Sequence, residues 1–180
     1  MNQRRVQIVI LCEDRQQEVF ARHFLKKRGF TGNIRTKFCL KGAGEQFVRE
    51  SYAAEVKAYR SKNYLSVILV VLIDADKEMI EKRLKQLDDA LIADSQQIRQ
   101  PHEAIAIFIP KRNIETWIHY LQGEAVDEET EYSKFTKNES ACKPYVESLV
   151  NQCYQGLDAN APPSLQAACG ELKRILPLLE

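Results

Sequence analysis

Three carboxylates carry the clearest chemical signal in this sequence. Glu13 follows the run VQIVILC, and Asp74 and Asp76 close the apolar run YLSVILVVLI as IDADK. Acids that follow β-rich runs fall at the carboxyl edge of a sheet, where open α/β proteins place their ligands. Asp74 and Asp76 are two residues apart, and on extended chain their side chains point the same way. Like charges at that spacing repel unless a cation lies between them, and hard oxygen donors suit Mg²⁺ or Mn²⁺. A divalent ion held by Glu13, Asp74 and Asp76 can polarise a phosphodiester, activate water or hold nucleotide phosphates. Each acid also has a plainer explanation. Glu13-Asp14 can complement a helix dipole. Asp74 and Asp76 can be a helix N-cap and a first-turn acid, which explains one aspartate well and the second less well.

The elements that must position these acids follow from periodicity. Tyr64 to Ile73 is apolar apart from Ser66 and dominated by β-branched residues. It is too short to span a bilayer and too continuous for a half-exposed strand, so it predicts a strand buried on both faces of a parallel sheet. Val6–Cys12, Asn33–Leu40 and Ala104–Ile109 are the other expected strands. Helices are expected at Gln16–Arg28, stopped by Gly29, at Glu45–Arg60 after the turn Lys41-Gly42-Ala43-Gly44, at Lys77–Ala93 and at Asn113–Leu121. Ile80, Leu84, Leu87 and Leu91 form the apolar stripe of the third of these. Strands alternating with helices imply an α/β domain over residues 1–121, with a mainly parallel four-stranded sheet flanked by helices. Gly123–Glu131 is an acidic loop, read as solvated. From Tyr132 the pattern is helical, with Tyr145, Leu149 and Cys153 on one row and Leu165, Cys169 and Leu172 on another, before Ile175–Leu179. Residues 122–180 are therefore expected as a helical extension packed on the α/β unit.

Composition bounds the function classes. The chain has 180 residues and a net charge of +1, which argues against indiscriminate polyanion binding and leaves room for a local basic patch. Cys12, Cys39, Cys142, Cys153 and Cys169 show no CxxC and no Cys/His metal spacing. Their odd number and the lack of a secretory signal point to reduced, mostly buried thiols in a cytoplasmic protein. No stretch is long enough for a transmembrane helix. GAGEQF lacks the Lys-Ser/Thr of a P-loop, and no GxGxxG follows the first strand. His23 and His102 have no partner in sequence, whereas His119 lies four residues after Glu115 and can share its helix face.

A glutamate ending strand one, with Asp-x-Asp ending a later strand, resembles the TOPRIM domain of topoisomerases, bacterial primases and OLD-type nucleases. The resemblance runs from about Val6 to Leu121. LCEDRQQEVF looks like the strand-one motif of small TOPRIM-like proteins linked to phage defence, with Glu13, Glu18 and Phe20 as counterparts. The family's glycine after the glutamate is Asp14 here. KGAG is similar to the family's glycine turn after strand two, and IDADK supplies the paired aspartates without the glycine that often follows. IPKRNIETWIHYL resembles a segment with a glutamate before an aromatic, which makes Glu115 a further acid near the cation.

The resemblance implies a Rossmann-like TOPRIM fold and a Mg²⁺- or Mn²⁺-dependent, nuclease-type cleavage of phosphodiesters in nucleic acid. Glu13, Asp74, Asp76 and Glu115 would be its catalytic acids. Members of this type often work beside a separately encoded ABC-like ATPase, and this chain has no Walker motif of its own. Lys77, Lys111 and Arg112 are the expected phosphate contacts, as point charges and a fork, with a solvated helix-entry pair as the equal alternative for Lys111 and Arg112. Trp117 and Ile118 are expected in the core. The missing glycines support a second expectation, a non-catalytic module that docks nucleic acid or a protein partner. A nucleotide-sugar glycosyltransferase is a weaker reading of Asp-x-Asp, because the chain leaves little room for an acceptor domain.

Overall fold

The computed structural model describes residues 6–62 and 66–178. The basic start Met1–Arg5, the first residues of the long apolar run (Tyr64 and Leu65) and Leu179 lie outside them. Four strands, β1 (Gln7–Cys12), β2 (Ile34–Phe38), β3 (Val67–Leu72) and β4 (Ile105–Phe108), form one sheet in the order β2-β1-β3-β4, and every pairing is parallel. The first three helices are α1 (Arg15–Arg28), α2 (Gly44–Ser61) and α3 (Ile80–Ala93); α4 is Ile114–Leu121. The architecture is α/β and Rossmann-like, with helices on both faces of the sheet.

The strand order explains the layering. The step from β1 to β2 and the step from β2 to β3 run in opposite directions, so right-handed crossovers place α1 on one face and α2 on the other. α3 packs beside α2. Every residue of β3 is buried, as its unbroken apolar run requires when both faces are covered. Each of those side chains contributes on the order of 2 kcal/mol by leaving water. β2, at the edge, alternates between half-buried and exposed positions.

Local chemistry sets the helix boundaries. The Asp14 carboxylate accepts from Gln17 N at 2.9 Å and caps α1. Gly29 ends the helix at φ 112°, a left-handed turn that glycine makes without steric cost. α3 begins at Ile80 rather than Lys77, because the chain first turns at Asp76 (φ 54°), where Asp76 N donates to Arg112 O at 2.9 Å. The extended-chain argument for parallel Asp74 and Asp76 side chains therefore does not carry to Asp76.

The C-terminal part adds α5 (Lys143–Gln155), α6 (Pro163–Glu171) and short 3₁₀ turns, including Glu139–Cys142. α5 packs on α1 and α4, and α6 packs on β4. Trp117 is buried against Phe20 and donates to Ser164 Oγ at 2.8 Å, joining the α/β unit to α6. Tyr145 stands partly out in solvent, and its neighbour Val146 takes the buried place. The expectation of reduced thiols is corrected at one pair: Cys153 of α5 and Cys169 of α6 form a disulfide with Cα atoms 5.3 Å apart. The fold brings the end of α5 to α6, which spacing in sequence does not reveal. Cys12 and Cys142 are buried free thiols, and Cys39 is half-buried. Among the described residues no helix is long and apolar enough to cross a membrane.

Candidate functional site

β1 and β3 are neighbours whose onward connections leave toward opposite edges of the sheet, the switch point where open α/β folds place their ligand crevice. Leu11 pairs with Val71, which brings the chain out of both strands side by side. Glu13 and Asp74 step into this crevice. Gln17, fully buried on the first turn of α1, ties them together: its Nε2 donates to Glu13 Oε2 at 3.1 Å and to Asp74 Oδ1 at 2.9 Å. Its Oε1 accepts from Glu13 N at 2.8 Å. Asp74 N also donates to Glu13 Oε2. Glu13 Oε1 and Asp74 Oδ2 receive no hydrogen bond among the described residues, and neither is sealed from solvent.

Neither acid is accounted for by capping. Asp14 performs that task for α1, and the cap position of α3 is Met79. Both carboxylates are instead in an environment hostile to charge. Burial, then the charges of Glu13, Glu115, Asp14 and Asp76, push Asp74 well above the ordinary aspartate range. Burial raises Glu13 to about 7, with Asp76 and Asp14 adding to it and the bonds from Asp74 N and Gln17 opposing it. Hard oxygen donors, two of them unbonded and mutually repelling, match what a small divalent cation needs.

Asp76 is held differently. Its carboxylate is about half exposed and accepts from Arg83 Nη2 at 3.1 Å. Burial raises it and Arg83 opposes the shift. Arg83 is itself buried, and it also donates from Nε to Asp74 O at 3.0 Å and from Nη1 to Glu45 Oε2 at 3.1 Å. The guanidinium thus links α3, the end of β3 and the start of α2. α2 reaches the crevice because Gly44 has no side chain: a Cβ there would lie 2.6 Å from Glu13 Cβ and 3.0 Å from Glu13 O. The KGAG turn accordingly sits against Glu13. Among the described residues no group of three or more His, Cys, Asp or Glu side chains is placed to hold a metal ion.

Glu115, on the first turn of α4, is buried beside a cleft of about 100 Å³ that also contains Asp14 and Lys134. Burial raises it to about 7, with Asp14 adding and Lys134 and His119 opposing. Its charge reaches Asp74, so it belongs to the same acidic field. Glu18 lies outside this group and pairs with Arg15 at 2.8 Å. His119 turns to the acidic loop, pairing with Glu124 and stacking near Tyr132 and Phe135.

The basic residues are placed unevenly. Lys77 is exposed on the turn after Asp76. Lys111 pairs with Glu129 at 3.1 Å and Arg112 with Glu131 at 3.3 Å. Arg112 has φ 67°, and its backbone bridges Asp76, so two non-glycine residues in the left-handed region meet at the rim. The acidic loop is largely exposed, as expected of a solvated loop, and its carboxylates also reach partners: besides Glu124, Glu129 and Glu131, Glu128 accepts from Ser164 Oγ. A phosphate reaching Lys111 or Arg112 would compete with these carboxylates.

Gln17, Arg83 and Glu45 are the polar partners that apolar periodicity passes over. A signal existed for two of them. Gln17 stands four residues after Glu13, and Arg83 stands four before Leu87 and eight before Leu91, on the buried row of α3. Compared with known proteins, the chain matches no family model, no curated protein and no solved structure.

Proposed function

We propose that this chain is a TOPRIM-like, Mg²⁺- or Mn²⁺-dependent protein that cleaves phosphodiesters in nucleic acid, a nuclease-type activity. One observation carries the reading: Glu13 and Asp74 converge at the β1/β3 switch point, neither capping a helix, repelling one another, each with an oxygen left open. The ion, when bound, supplies charge to polarise the phosphodiester and to acidify a water molecule. Glu13 and Asp74 would hold it, and Asp76, paired with Arg83 in this structure, would be a further ligand on release from that pair. Gln17 fixes the Glu13–Asp74 spacing. Glu115, poised near neutrality, exchanges a proton at the edge of the crevice. Lys77, Lys111 and Arg112 meet phosphate charge at the rim. In this reading the protein works in the cytoplasm, beside a separately encoded ABC-like ATPase.

The test is cleavage of supercoiled plasmid, single-stranded DNA and single-stranded RNA with Mn²⁺, Mg²⁺ or EDTA. The wild type should cut in the presence of metal, and Asp74→Ala with Asp76→Ala should not. Cleavage that survives in EDTA or in the double variant contradicts the reading.

A second reading has its own observation. Gln17 and Asp74 N already satisfy part of the acid pair without an ion, as in a non-catalytic docking module. Nucleic-acid binding that is indifferent to metal, with no cleavage, would favour it.

A further inference from the structure

A second concave surface, away from the acidic crevice, is strongly basic. A pocket of about 260 Å³ lies between α1 and the start of α5, walled by Arg15, Glu18, Arg22, His23, Lys26 and Lys143. Four cations face one carboxylate, in a chain whose net charge is only +1. Glu18 is taken up by Arg15 at 2.8 Å and Arg22 at 3.9 Å. The other ion pairs of this face use His23 and Lys27 with Glu147. Lys26 and Lys143 are exposed and make no ion pair among the described residues.

The arrangement is linear. Arg15, Arg22 and Lys26 lie at spacings of seven and four on α1, hence on one side of the helix. At 1.5 Å per residue the row is roughly 16 Å long. Its first member, Arg15, also borders the cleft that holds Asp14 and Glu115. The positive row therefore starts at the edge of the Asp14–Glu115 cleft and runs away from it. A single phosphate needs two or three of these groups. Three cations spread over that length exceed what one phosphate can engage and suit a strand of linked phosphates.

We propose that this pocket is a phosphate-binding track for a nucleic-acid strand, which the C-terminal extension completes through Lys143. The proposal rests on the phosphodiester reading above and adds a path for the strand. The contacts are to backbone phosphates, so binding is independent of base sequence. They also require no metal ion.

The experiment measures binding of a labelled single-stranded oligonucleotide in EDTA, by fluorescence anisotropy over a range of KCl concentrations. The proteins are the wild type, Lys26→Ala with Lys143→Ala, and a control, Lys57→Ala with Lys85→Ala. All four lysines are exposed, so the folds are kept and the net charge change is equal. Two lost phosphate contacts should lower the slope of log affinity against log salt by about 1.4. The control should keep the wild-type slope. Equal slopes in both variants overturn the proposal. So does an absence of oligonucleotide binding by a wild type that inorganic phosphate nevertheless stabilises, which would mark a small-anion site. Because EDTA is present, loss of the cation reading leaves this slope difference intact. A chain that cleaves with metal but shows no slope difference loses the track alone.

Discussion

Replacing Glu115 by Gln should stabilise the protein above neutral pH and leave its stability unchanged near pH 4. The carboxyl of Glu115 is 2 % exposed, and burial lifts it from 4.5 to about 7. The folded state therefore holds this proton more tightly than the unfolded chain does. Between those values the folded state binds more protons, so stability falls as pH rises through the window. At about 1.4 kcal/mol per unit, the loss above pH 7 is on the order of 3 kcal/mol. Gln keeps the shape and cannot ionise, so the variant is spared that loss. For a chain of this size, 1 kcal/mol moves the melting temperature by about 2–4 °C. The variant should then melt roughly 6–12 °C higher at pH 8, with the two curves meeting near pH 4. Thermal unfolding followed by circular dichroism in EDTA, at several pH values, reads this directly. Parallel pH profiles, or a variant less stable at pH 8, would refute the claim that a buried charge is being held against its desolvation cost.

Other perturbations address the scaffold of the crevice. Arg83→Met should cost about 2 kcal/mol in urea unfolding, because Asp74 O, Asp76 and Glu45 lose one shared donor. Gly44→Ala should cost on the order of 1–3 kcal/mol, since the added methyl collides with Glu13 backbone and Cβ; a neutral result would mean that α2 does not press on Glu13. Cys153→Ser with Cys169→Ser should lower stability by about 3 kcal/mol, the scale for a loop of this length. A reducing agent should do the same to the wild type and nothing to the variant.

Parts of this arrangement were legible in the residues alone because they rest on burial. The β3 run is apolar without interruption, and only a strand covered on both faces accepts that pattern. The strand ends then fixed where Glu13 and Asp74 would lie, and Trp117 could be assigned to the core. What escaped depends on partners distant in sequence. Asp76 sits on a turn set by Arg112 O, so strand alternation misplaces it. Arg83 and Gln17 are buried polar groups on amphipathic helices, where apolar periodicity passes over them. The acidic loop is exposed as its composition suggests, but its pairing with Lys111, Arg112, His119 and Ser164 depends on the fold. The disulfide required the docking of α5 beside α6. The row along α1 was hidden by a net charge close to zero, which averages the basic face against the acidic crevice.

The most direct test of the central claim is the melting temperature with Mn²⁺ against EDTA, for the wild type, Glu13→Gln and Asp74→Asn. An ion at one hundred times its dissociation constant stabilises the native state by about 2.7 kcal/mol, or roughly 5–10 °C here. The wild type should show that shift and each variant should lose most of it. No shift in the wild type, or an equal shift in all three proteins, would contradict a cation held between Glu13 and Asp74.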